Sequence, residues 1–133
     1  MITYLTADDV QAFNAVFIGP NGLIDFGRLD AAVVRPQSTA FGEDAFPTIH
    51  EKAAALLHGI ARNHAFIDGN KRTALSAMDV FYRINGYVIT ADQGDLVALT
   101  VDAAEGQLDV AGIAGRLKDW AVPLPVDFDP FAD

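Results

Sequence analysis

Residues 64–72 read HAFIDGNKR, and this short segment holds the residue types that phosphoryl chemistry needs. His64 can act as a general base toward a hydroxyl, because an unperturbed imidazole has a pKa of about 6.5. Asp68 can hold Mg²⁺, which usually takes one or two protein carboxylates together with phosphate oxygens. The adjacent cations Lys71 and Arg72 can bind phosphate oxygens through an ammonium and a planar guanidinium fork. The spacing therefore predicts a phosphate site with a base and a metal-binding acid beside it.

The two cations lie where a helix is predicted to begin, with Asn70 as its N-cap residue. The first turn of a helix presents unpaired N–H groups and a partial positive charge, so Lys71 and Arg72 are unfavourable there without a ligand. A bound anion removes this conflict, and phosphate is the natural candidate. Gly69 lets the backbone turn sharply or approach the ligand closely. Phe66 carries no such chemistry and is expected to anchor the loop in the core.

Each of these residues has a common structural explanation when it is taken alone. A single histidine in a helical protein is usually structural, which is the interpretation favoured for His50 and His58. An Asp-Gly pair is usually a turn, and an exposed Lys-Arg pair is usually a solvated patch. A metal site formed by His58, His64 and Asp68 is a further alternative, but the spacing matches no common zinc pattern. The presence of all these residue types on one loop favours function.

Other catalytic signatures are missing from the sequence. It contains no G-x-x-x-x-G-K-[ST], no G-x-G-x-x-G and no G-x-S-x-G motif. Phosphoryl chemistry on this chain would therefore use neither a P-loop nor the usual protein-kinase apparatus.

Hydrophobic periodicity predicts the helices that must position this loop, and it indicates an all-α domain, a single compact bundle of about six helices. Capping-box patterns, Thr6 with Asp9 and Thr48 with Glu51, mark the starts of two of them. The first predicted helix ends before Gly19-Pro20, and the fourth runs from Lys71 to just before Asn85-Gly86. The other predicted helices span residues 25–34, 49–63, 93–105 and 109–120. The two long central helices should pack together and place HAFIDGNKR at one end of the bundle.

The connecting segments show weaker patterns. Residues 37–47 have no hydrophobic period and predict a loop, which could act as a mobile flap. YVIT, at residues 87–90, is too short to seed a sheet by itself. The helical domain is expected to span residues 1–120, and the Pro-rich acidic tail, residues 121–133, is expected to be irregular or frayed.

Composition narrows the class of protein. The chain of 133 residues has nine Lys and Arg, a formal net charge of −9 and no cysteine. The acidity argues against direct nucleic-acid binding, which normally uses a basic face, and the lack of cysteine excludes a disulfide framework and a thiolate zinc site. The N-terminal MITYLTADDV has neither the basic region nor the apolar run of a signal peptide, and no apolar stretch is long enough to span a bilayer. A cytoplasmic protein that does not enter the membrane is expected.

HAFIDGNKR resembles the signature of the Fic/Doc family, commonly written H-x-F-x-[DE]-G-N-G-R. The resemblance extends to GLIDFGRLDAAVVRPQ (22–37) and HEKAAALLHGIARNHAFIDGNKRTALSAMDVFYRINGY (50–87), and it covers roughly residues 5–120. The chain departs from the usual pattern at two positions. Lys71 replaces the second glycine, and Leu75 stands where AMP-transferring members commonly have another arginine. Doc-type members have that lysine, and the resemblance implies that they bind the nucleotide the other way round and transfer its γ-phosphate.

The resemblance implies a reaction and partners, which are expectations at this point. The expected protein is a Doc-type toxin of a toxin–antitoxin module. It would transfer the γ-phosphate of ATP, with Mg²⁺, to a threonine of elongation factor Tu and so inhibit translation. Its partner would be an antitoxin whose C-terminal segment binds the toxin, since the inhibitory [ST]-x-x-x-E-[GN] motif of some family members is missing here. The open alternatives are a transferase that attaches AMP or another nucleotide to a protein hydroxyl, and a catalytically silent module that binds a partner.

The resemblance also implies roles for individual residues. His64 would deprotonate the target hydroxyl, and Asp68 would hold Mg²⁺. The residues expected to bind the phosphates of the nucleotide are Gly69, Asn70, Lys71 and Arg72. Phe66 would be structural, and Arg62 could reach the nucleotide.

Overall fold

A computed structural model describes residues 1–125 of the chain, and six α-helices account for most of this range. They are α1 (Ala7–Ile18), α2 (Phe26–Val34), α3 (Ile49–Asn63), α4 (Asn70–Ile84), α5 (Gln93–Ala104) and α6 (Val110–Trp120). The predicted all-α bundle of about six helices is confirmed. Among the residues that the structure describes, no helix is both long and apolar enough to cross a bilayer.

Side-chain caps explain where most of these helices begin. Thr6 and Asp9 form the reciprocal capping box at the start of α1. Thr48 accepts a hydrogen bond from the Glu51 N–H at the start of α3, and its hydroxyl also donates to the Glu51 carboxylate. Three aspartates cap α2, α5 and α6 in the same way, namely Asp25, Asp92 and Asp109. Each cap satisfies an N–H that the helix itself leaves unpaired.

Helix α3 forms the centre of the core and packs against α2, α4, α5 and α6. Its buried residues run almost without interruption from Lys52 to Ala61, so water reaches little of the helix surface. The facing surface of α4 buries Ala74, Ala77, Met78 and Phe81. This pairing of the two central helices places the loop between them at one end of the bundle, as the sequence predicts.

The prediction of a plain loop at residues 37–47 is wrong in its central part. Strands β1 (Thr39–Ala40) and β2 (Glu43–Asp44) pair there as an antiparallel hairpin. Its two-residue turn has positive φ at both positions, Phe41 at 53° and Gly42 at 80°, and tight hairpin turns favour this combination because it matches the twist of the strands. Lys52 of α3 anchors the hairpin, since its Nζ donates to the Asp44 carboxylate of β2 at 3.2 Å and to the Phe46 carbonyl just after the hairpin at 2.7 Å.

A second small sheet involves the part of the chain after α6. Strand β3 (Tyr87–Ile89) pairs antiparallel with β4 (Ala121–Pro123). The YVIT segment thus finds a partner more than thirty residues away in sequence. The predicted irregular tail is wrong for residues 121–123, and its residues 126–133 lie outside the described range.

Candidate active site

The loop between α3 and α4 begins and ends with left-handed backbone. His64 ends α3 with φ 51° and ψ 45°, and Gly69 precedes α4 with φ 75°. Glycine adopts this conformation without penalty, but a residue with a Cβ pays about 1–2 kcal/mol for it. Helices often end in this conformation, but usually with glycine, so the fold holds the backbone of the exposed His64 in a conformation that its Cβ disfavours.

Backbone hydrogen bonds tie this loop to the segment that precedes α2. The N–H groups of residues 24–25 donate to the Ala65 carbonyl at 2.9 and 3.1 Å, and the Ile67 N–H donates to the Gly22 carbonyl at 2.8 Å. Phe66, between them, is only 2 % exposed and packs in the core. The loop is thus fixed on one side by main-chain pairing and below by an aromatic ring, which limits the movement of His64 and Asp68.

Asn70 has a different structural role from the predicted N-cap. The N-cap position is occupied by Gly69, no side chain caps α4, and Asn70 is its first helical residue. The Asn70 amide instead pairs with the peptide groups of Phe66: Oδ1 accepts from the Phe66 N–H at 3.1 Å and Nδ2 donates to its carbonyl at 2.9 Å. The side chain closes the loop from within, while the backbone N–H of Asn70 stays at the helix start.

Asn14 of α1, which no sequence motif singled out, holds the same loop from the outside. Its side chain is 1 % exposed, and Nδ2 donates to the Asp68 carbonyl at 3.0 Å and to the Thr73 hydroxyl at 3.1 Å. A signal was available, because Asn14 follows Val10 by four residues and so lies on the apolar face of α1. A buried amide on such a face requires partners, although the sequence does not name them.

Helix α1 also makes close contact with Gly69. A Cβ on Gly69 would lie 3.0 Å from Cγ1 of Ile18, and a Cβ on Gly22 would collide with Oδ1 of Asn14. Glycine at position 69 is thus favoured twice, by its positive φ and by the close approach of the neighbouring helix.

The first turn of α4 presents the predicted cationic, hydrogen-bond-donating surface. The first backbone hydrogen bond at the N-terminus of α4 runs from the Thr73 N–H to the Gly69 carbonyl at 2.9 Å. The N–H groups of residues 70–72 therefore have no intrahelical partner. Lys71 and Arg72 are exposed, and the ion pairs found in residues 1–125 involve neither of them. The Arg72 guanidinium lies over the Phe17 ring of α1, 4.2 Å from its centroid, which orders the side chain through a cation–π contact.

Asp68 provides a carboxylate at the edge of this surface. One carboxylate oxygen, Oδ1, accepts from the Gly69 N–H at 2.8 Å, and the exposed side chain leaves the other oxygen open to solvent. Residues 1–125 contain no cluster of three His, Cys, Asp or Glu that could hold a metal ion. A single carboxylate fits Mg²⁺ bound mainly through phosphate oxygens and water, and it does not fit a metal held by the protein alone.

These groups line one cleft of about 280 Å³. It brings together His64, Asp68 and residues 69–72, with Ala61 and Ala104 contributing part of its wall. Phe66 lies beneath the loop instead. Arg62 does not line this cleft, because its Nη1 approaches the carbonyl groups of Ala103 and Ala104 at the end of α5, at 3.4 Å each. Its predicted contact with a nucleotide gains no support from this position.

The other two histidines have structural partners, in agreement with their interpretation from sequence. His50 Nδ1 lies 2.9 Å from the Tyr82 hydroxyl, and His58 Nδ1 lies 2.9 Å from Nη1 of Arg35. Burial lowers the pKa of both imidazoles. Nearby charges add to this effect for His58, since Arg35 and Arg62 lower its pKa further while Asp109 raises it. A metal site formed by His58, His64 and Asp68 is excluded among the described residues, which contain no such cluster.

Comparison with known proteins agrees with this geometry. The model of the Fic/DOC family matches residues 4–82. The chain is 50% identical over 130 residues to Toxin Doc of Mycolicibacterium smegmatis, an alignment that covers 91% of this chain and 95% of that protein. It is 39% identical over 100 residues to Protein kinase doc of Escherichia phage P1, which covers 75% of this chain and 78% of the relative. The chain therefore belongs to the Fic/Doc family.

Proposed function

We propose that this Fic/Doc protein is the toxin of a toxin–antitoxin module and that it transfers the γ-phosphate of ATP to a hydroxyl of a protein target. The observation that carries the proposal is the single cleft in which His64, Asp68 and the cationic first turn of α4 meet. Both relatives named above support it, since one is called a toxin and the other a protein kinase.

The reaction follows from the groups in the cleft. His64 accepts the proton of the target hydroxyl, whose oxygen forms a bond to the γ-phosphorus. The bond between that phosphorus and the β–γ bridging oxygen breaks, and ADP leaves with the electron pair. His64 later returns the proton to solvent. The strained backbone of His64 and the pinned loop keep the base in place before substrate arrives.

The phosphates need charge neutralisation, which the start of α4 can supply. Residues 70–72 form the first turn of α4 and line one cleft, so their unpaired N–H groups, the Lys71 ammonium and the Arg72 guanidinium can donate to an anion there. Charge-assisted hydrogen bonds of this type are about twice as strong as neutral ones. Asp68 is the residue that would hold Mg²⁺, which supplies additional positive charge next to the phosphate oxygens when it is bound.

Lys71 and Leu75 favour phosphate transfer over AMP transfer. Lys71 lines the cleft where the usual motif has a glycine, so it adds bulk and positive charge at that position, and Leu75 cannot donate to a phosphate as an arginine would. The family resemblance described above links the same lysine to γ-phosphate transfer. AMP transfer is the second candidate, because Gly69, Asn70 and Arg72 of the usual motif are intact.

The partners follow from the relatives and from the resemblance. The proposed target is a threonine of elongation factor Tu, and its modification would inhibit translation in the cytoplasm. The proposed inhibitor is an antitoxin whose C-terminal segment binds the toxin. A partner segment of this kind can bind as an amphipathic helix in a groove.

The reaction is tested with purified protein, elongation factor Tu, Mg²⁺ and ATP labelled at either the γ or the α position. We expect transfer of the γ label only, and a mass increase of the target by one phosphate. Transfer of the α label would establish AMP transfer and refute the kinase proposal.

A pair of variants tests whether catalysis is the activity at all. His64→Ala should abolish both label transfer and growth inhibition, whereas Val16→Ala, at a side chain of α1 that is 80% exposed and does not line the cleft, should retain both. Growth inhibition that persists in His64→Ala would support the catalytically silent, partner-binding alternative.

A further inference from the structure

His64 lies between two clefts of the structure. It lines the cleft described above together with Asp68 and the first turn of α4, here called the phosphate cleft. It also lines a wider cleft of about 630 Å³, formed by the start of α2 and the end of α3 and here called the α2–α3 cleft. Gly27, Arg28 and Ala31 of α2 line this second cleft and are exposed. No role in the reaction has been given to it so far.

The chemistry of phosphate transfer requires two separate approaches to His64. The attacking and leaving oxygens lie roughly in line on opposite sides of the transferred phosphorus. With the phosphates in the phosphate cleft, ADP leaves on that side, and the attacking hydroxyl has to reach the base from the other side. The α2–α3 cleft opens onto His64 outside the phosphate cleft, so it suits the molecule that carries the hydroxyl.

Hydrogen bonds hold the α2–α3 cleft in a fixed position relative to the base. The Asn63 Nδ2 donates to the Arg28 carbonyl at 3.1 Å. The Asp25 N–H donates to the Ala65 carbonyl at 3.1 Å. The residues immediately before and after His64 are thus both tied to the start of α2. A segment bound against α2 is therefore held in register with the base, and such positioning lowers the barrier to transfer.

An exposed apolar edge borders the α2–α3 cleft and consists of Ile24, Phe26 and Ile67. Their side chains are 61%, 54% and 70% exposed. Ile24 and Ile67 belong to the two segments joined by the antiparallel bridge between Leu23 and Phe66, so they are diagonal neighbours on its outer face. Phe26 begins α2, next to a residue of the cleft. Exposed apolar side chains that adjoin one another are typical of protein interaction sites.

The position of this apolar edge indicates which partner covers it. The hydroxyl of the target has to come within hydrogen-bond reach of His64, about 2.6–3.2 Å. A protein that delivers a hydroxyl there also covers the surface around the base, including the apolar edge. A permanent second copy of the chain at the same place would instead close the access to His64, which conflicts with the proposed reaction.

We propose that the α2–α3 cleft and its apolar edge form the docking surface for the protein acceptor. The hydroxyl-bearing segment lies in the cleft, where the small side chains of Gly27 and Ala31 let a backbone approach α2. An apolar side chain of the acceptor packs on Ile24 and Phe26. This inference rests on the proposed function and adds the surface that recognises the target.

The same geometry describes the acceptor sequence. The Ile24 N–H donates to the Ala65 carbonyl at 2.9 Å, so Ile24 lies opposite the residue that follows His64. An extended chain advances about 3.3 Å per residue. The apolar side chain of the acceptor is therefore expected within about three residues of its hydroxyl.

Steady-state kinetics with elongation factor Tu as the probe, Mg²⁺ and γ-labelled ATP test this surface. Ile24→Ser and Phe26→Ser remove apolar surface, whereas Phe26→Leu keeps an apolar side chain at the same position. Ile84→Ser is the control, at a side chain that is 39% exposed and ends α4, at the opposite end of that helix from the His64 loop. Calorimetry with an ATP analogue that has a methylene group between the β and γ phosphorus atoms shows whether each variant keeps a folded phosphate cleft.

We expect Ile24→Ser and Phe26→Ser each to raise the KM for elongation factor Tu about tenfold, as for the truncation of an anchoring side chain at an interface. The kcat at saturating acceptor should stay within about twofold of wild type, because an interaction made equally before and during the reaction changes KM alone. The Kd of the analogue should not change, since neither side chain lines the phosphate cleft. Phe26→Leu should keep most of the acceptor affinity, and Ile84→Ser should match wild type.

An unchanged KM in both serine variants would refute the docking surface. If the same variants abolished a wild-type dimer seen by sedimentation while KM stayed unchanged, the apolar edge would be an interface between two copies. A lower kcat at unchanged KM, or a weaker affinity for the analogue, would show that these side chains act on the catalytic loop and would also refute acceptor docking. A wild-type chain that transfers no γ label refutes the proposed function and the acceptor surface with it, whereas fully active serine variants refute the surface alone.

Discussion

Replacement of Asn14 by alanine should damage the candidate active site from a distance, through the loop that Asn14 holds. The side chain belongs to α1, does not line the cleft that contains His64 and Asp68, and donates to the Asp68 carbonyl and the Thr73 hydroxyl. Its loss removes the polar link between α1 and the start of α4. We therefore expect Asn14→Ala to lower the unfolding free energy and also to lower the rate of phosphate transfer.

The magnitude follows from the two hydrogen bonds. A net contribution of about 0.5–1.5 kcal/mol each gives about 1–3 kcal/mol, and the buried groups that lose their donor add to it. Thr73 is fully buried and cannot regain a bond to water, whereas the Asp68 carbonyl is only partly buried. A total of about 2–4 kcal/mol is expected. Movement of Asp68 by about 1 Å would reduce kcat up to about 100-fold.

Asn85→Ala is a matched control at the other end of α4. The Asn85 side chain makes hydrogen bonds to Thr3 and to the Phe81 carbonyl, between 2.8 and 2.9 Å. Its removal should cost a similar unfolding free energy but leave the loop intact. Stability is measured by denaturant unfolding, and kcat and KM are measured for phosphate transfer well below the unfolding transition of both variants.

The two variants must differ in kcat for this reasoning to hold. A kcat for Asn14→Ala that equals that of Asn85→Ala, at similar loss of stability, would show that Asn14 contributes only to global stability. Hydrogen exchange provides a second readout, since the Ile67 N–H, which donates to the Gly22 carbonyl, should exchange faster in Asn14→Ala alone.

Three further predictions concern charged or titratable side chains, namely Lys71, His58 and Lys52. Lys71→Gly should weaken phosphate transfer by about 1–3 kcal/mol, the value of a lost charge-assisted hydrogen bond; unchanged transfer of the γ label would refute its assigned role. The pKa of His58 is lowered in the fold, so below about pH 6.5 the unfolded chain binds more protons and the unfolding free energy falls as the pH is lowered. His58→Gln keeps an acceptor for Arg35 and should make the unfolding free energy less dependent on pH between about pH 7 and 5, as measured by denaturant titrations. An unfolding free energy that falls equally steeply with pH in the variant and the wild type would contradict this prediction. Lys52→Met should free the hairpin by removing the bonds to the Asp44 carboxylate and the Phe46 carbonyl, at a cost of about 1–2 kcal/mol. Unchanged hydrogen exchange in residues 39–44 would argue against that anchor.

The local part of this structure was predictable because its causes are local. The start of a helix is marked by a capping residue three positions before an acid, and its end by a Gly-Pro or Asn-Gly pair. Apolar residues at helical spacing mark the buried face. All of these signals act within one or two turns of the helix. The candidate site was also visible in sequence, since nine consecutive residues contain the base, the acid and both cations. Lys71 and Arg72 lie beside free N–H groups because they occupy the first turn of α4, and that is a consequence of chain order alone.

Other features required contacts between distant parts of the chain. Asparagine is a common N-cap residue, but the Asn70 side chain is hydrogen-bonded to the Phe66 peptide and the N-cap position is occupied by Gly69. The YVIT segment had no partner within its own neighbourhood and pairs with residues 121–123. The hairpin at residues 39–44 depends on two residues with positive φ, one of which is a phenylalanine that statistics of turns would not select.

The sequence by itself determined the chemistry of the candidate site, and only the tertiary structure decided how that chemistry is held and where a ligand could extend. Asn14 lies 54 and 59 positions from its two hydrogen-bond partners, and the cleft with His64 and Asp68 includes Ala104, a residue of a later helix. Helical periodicity reports which face of a helix is buried but not which groups it meets there. Hydrogen bonds and clefts depend on those partners, so they become visible only when the packed helices have brought the distant residues together.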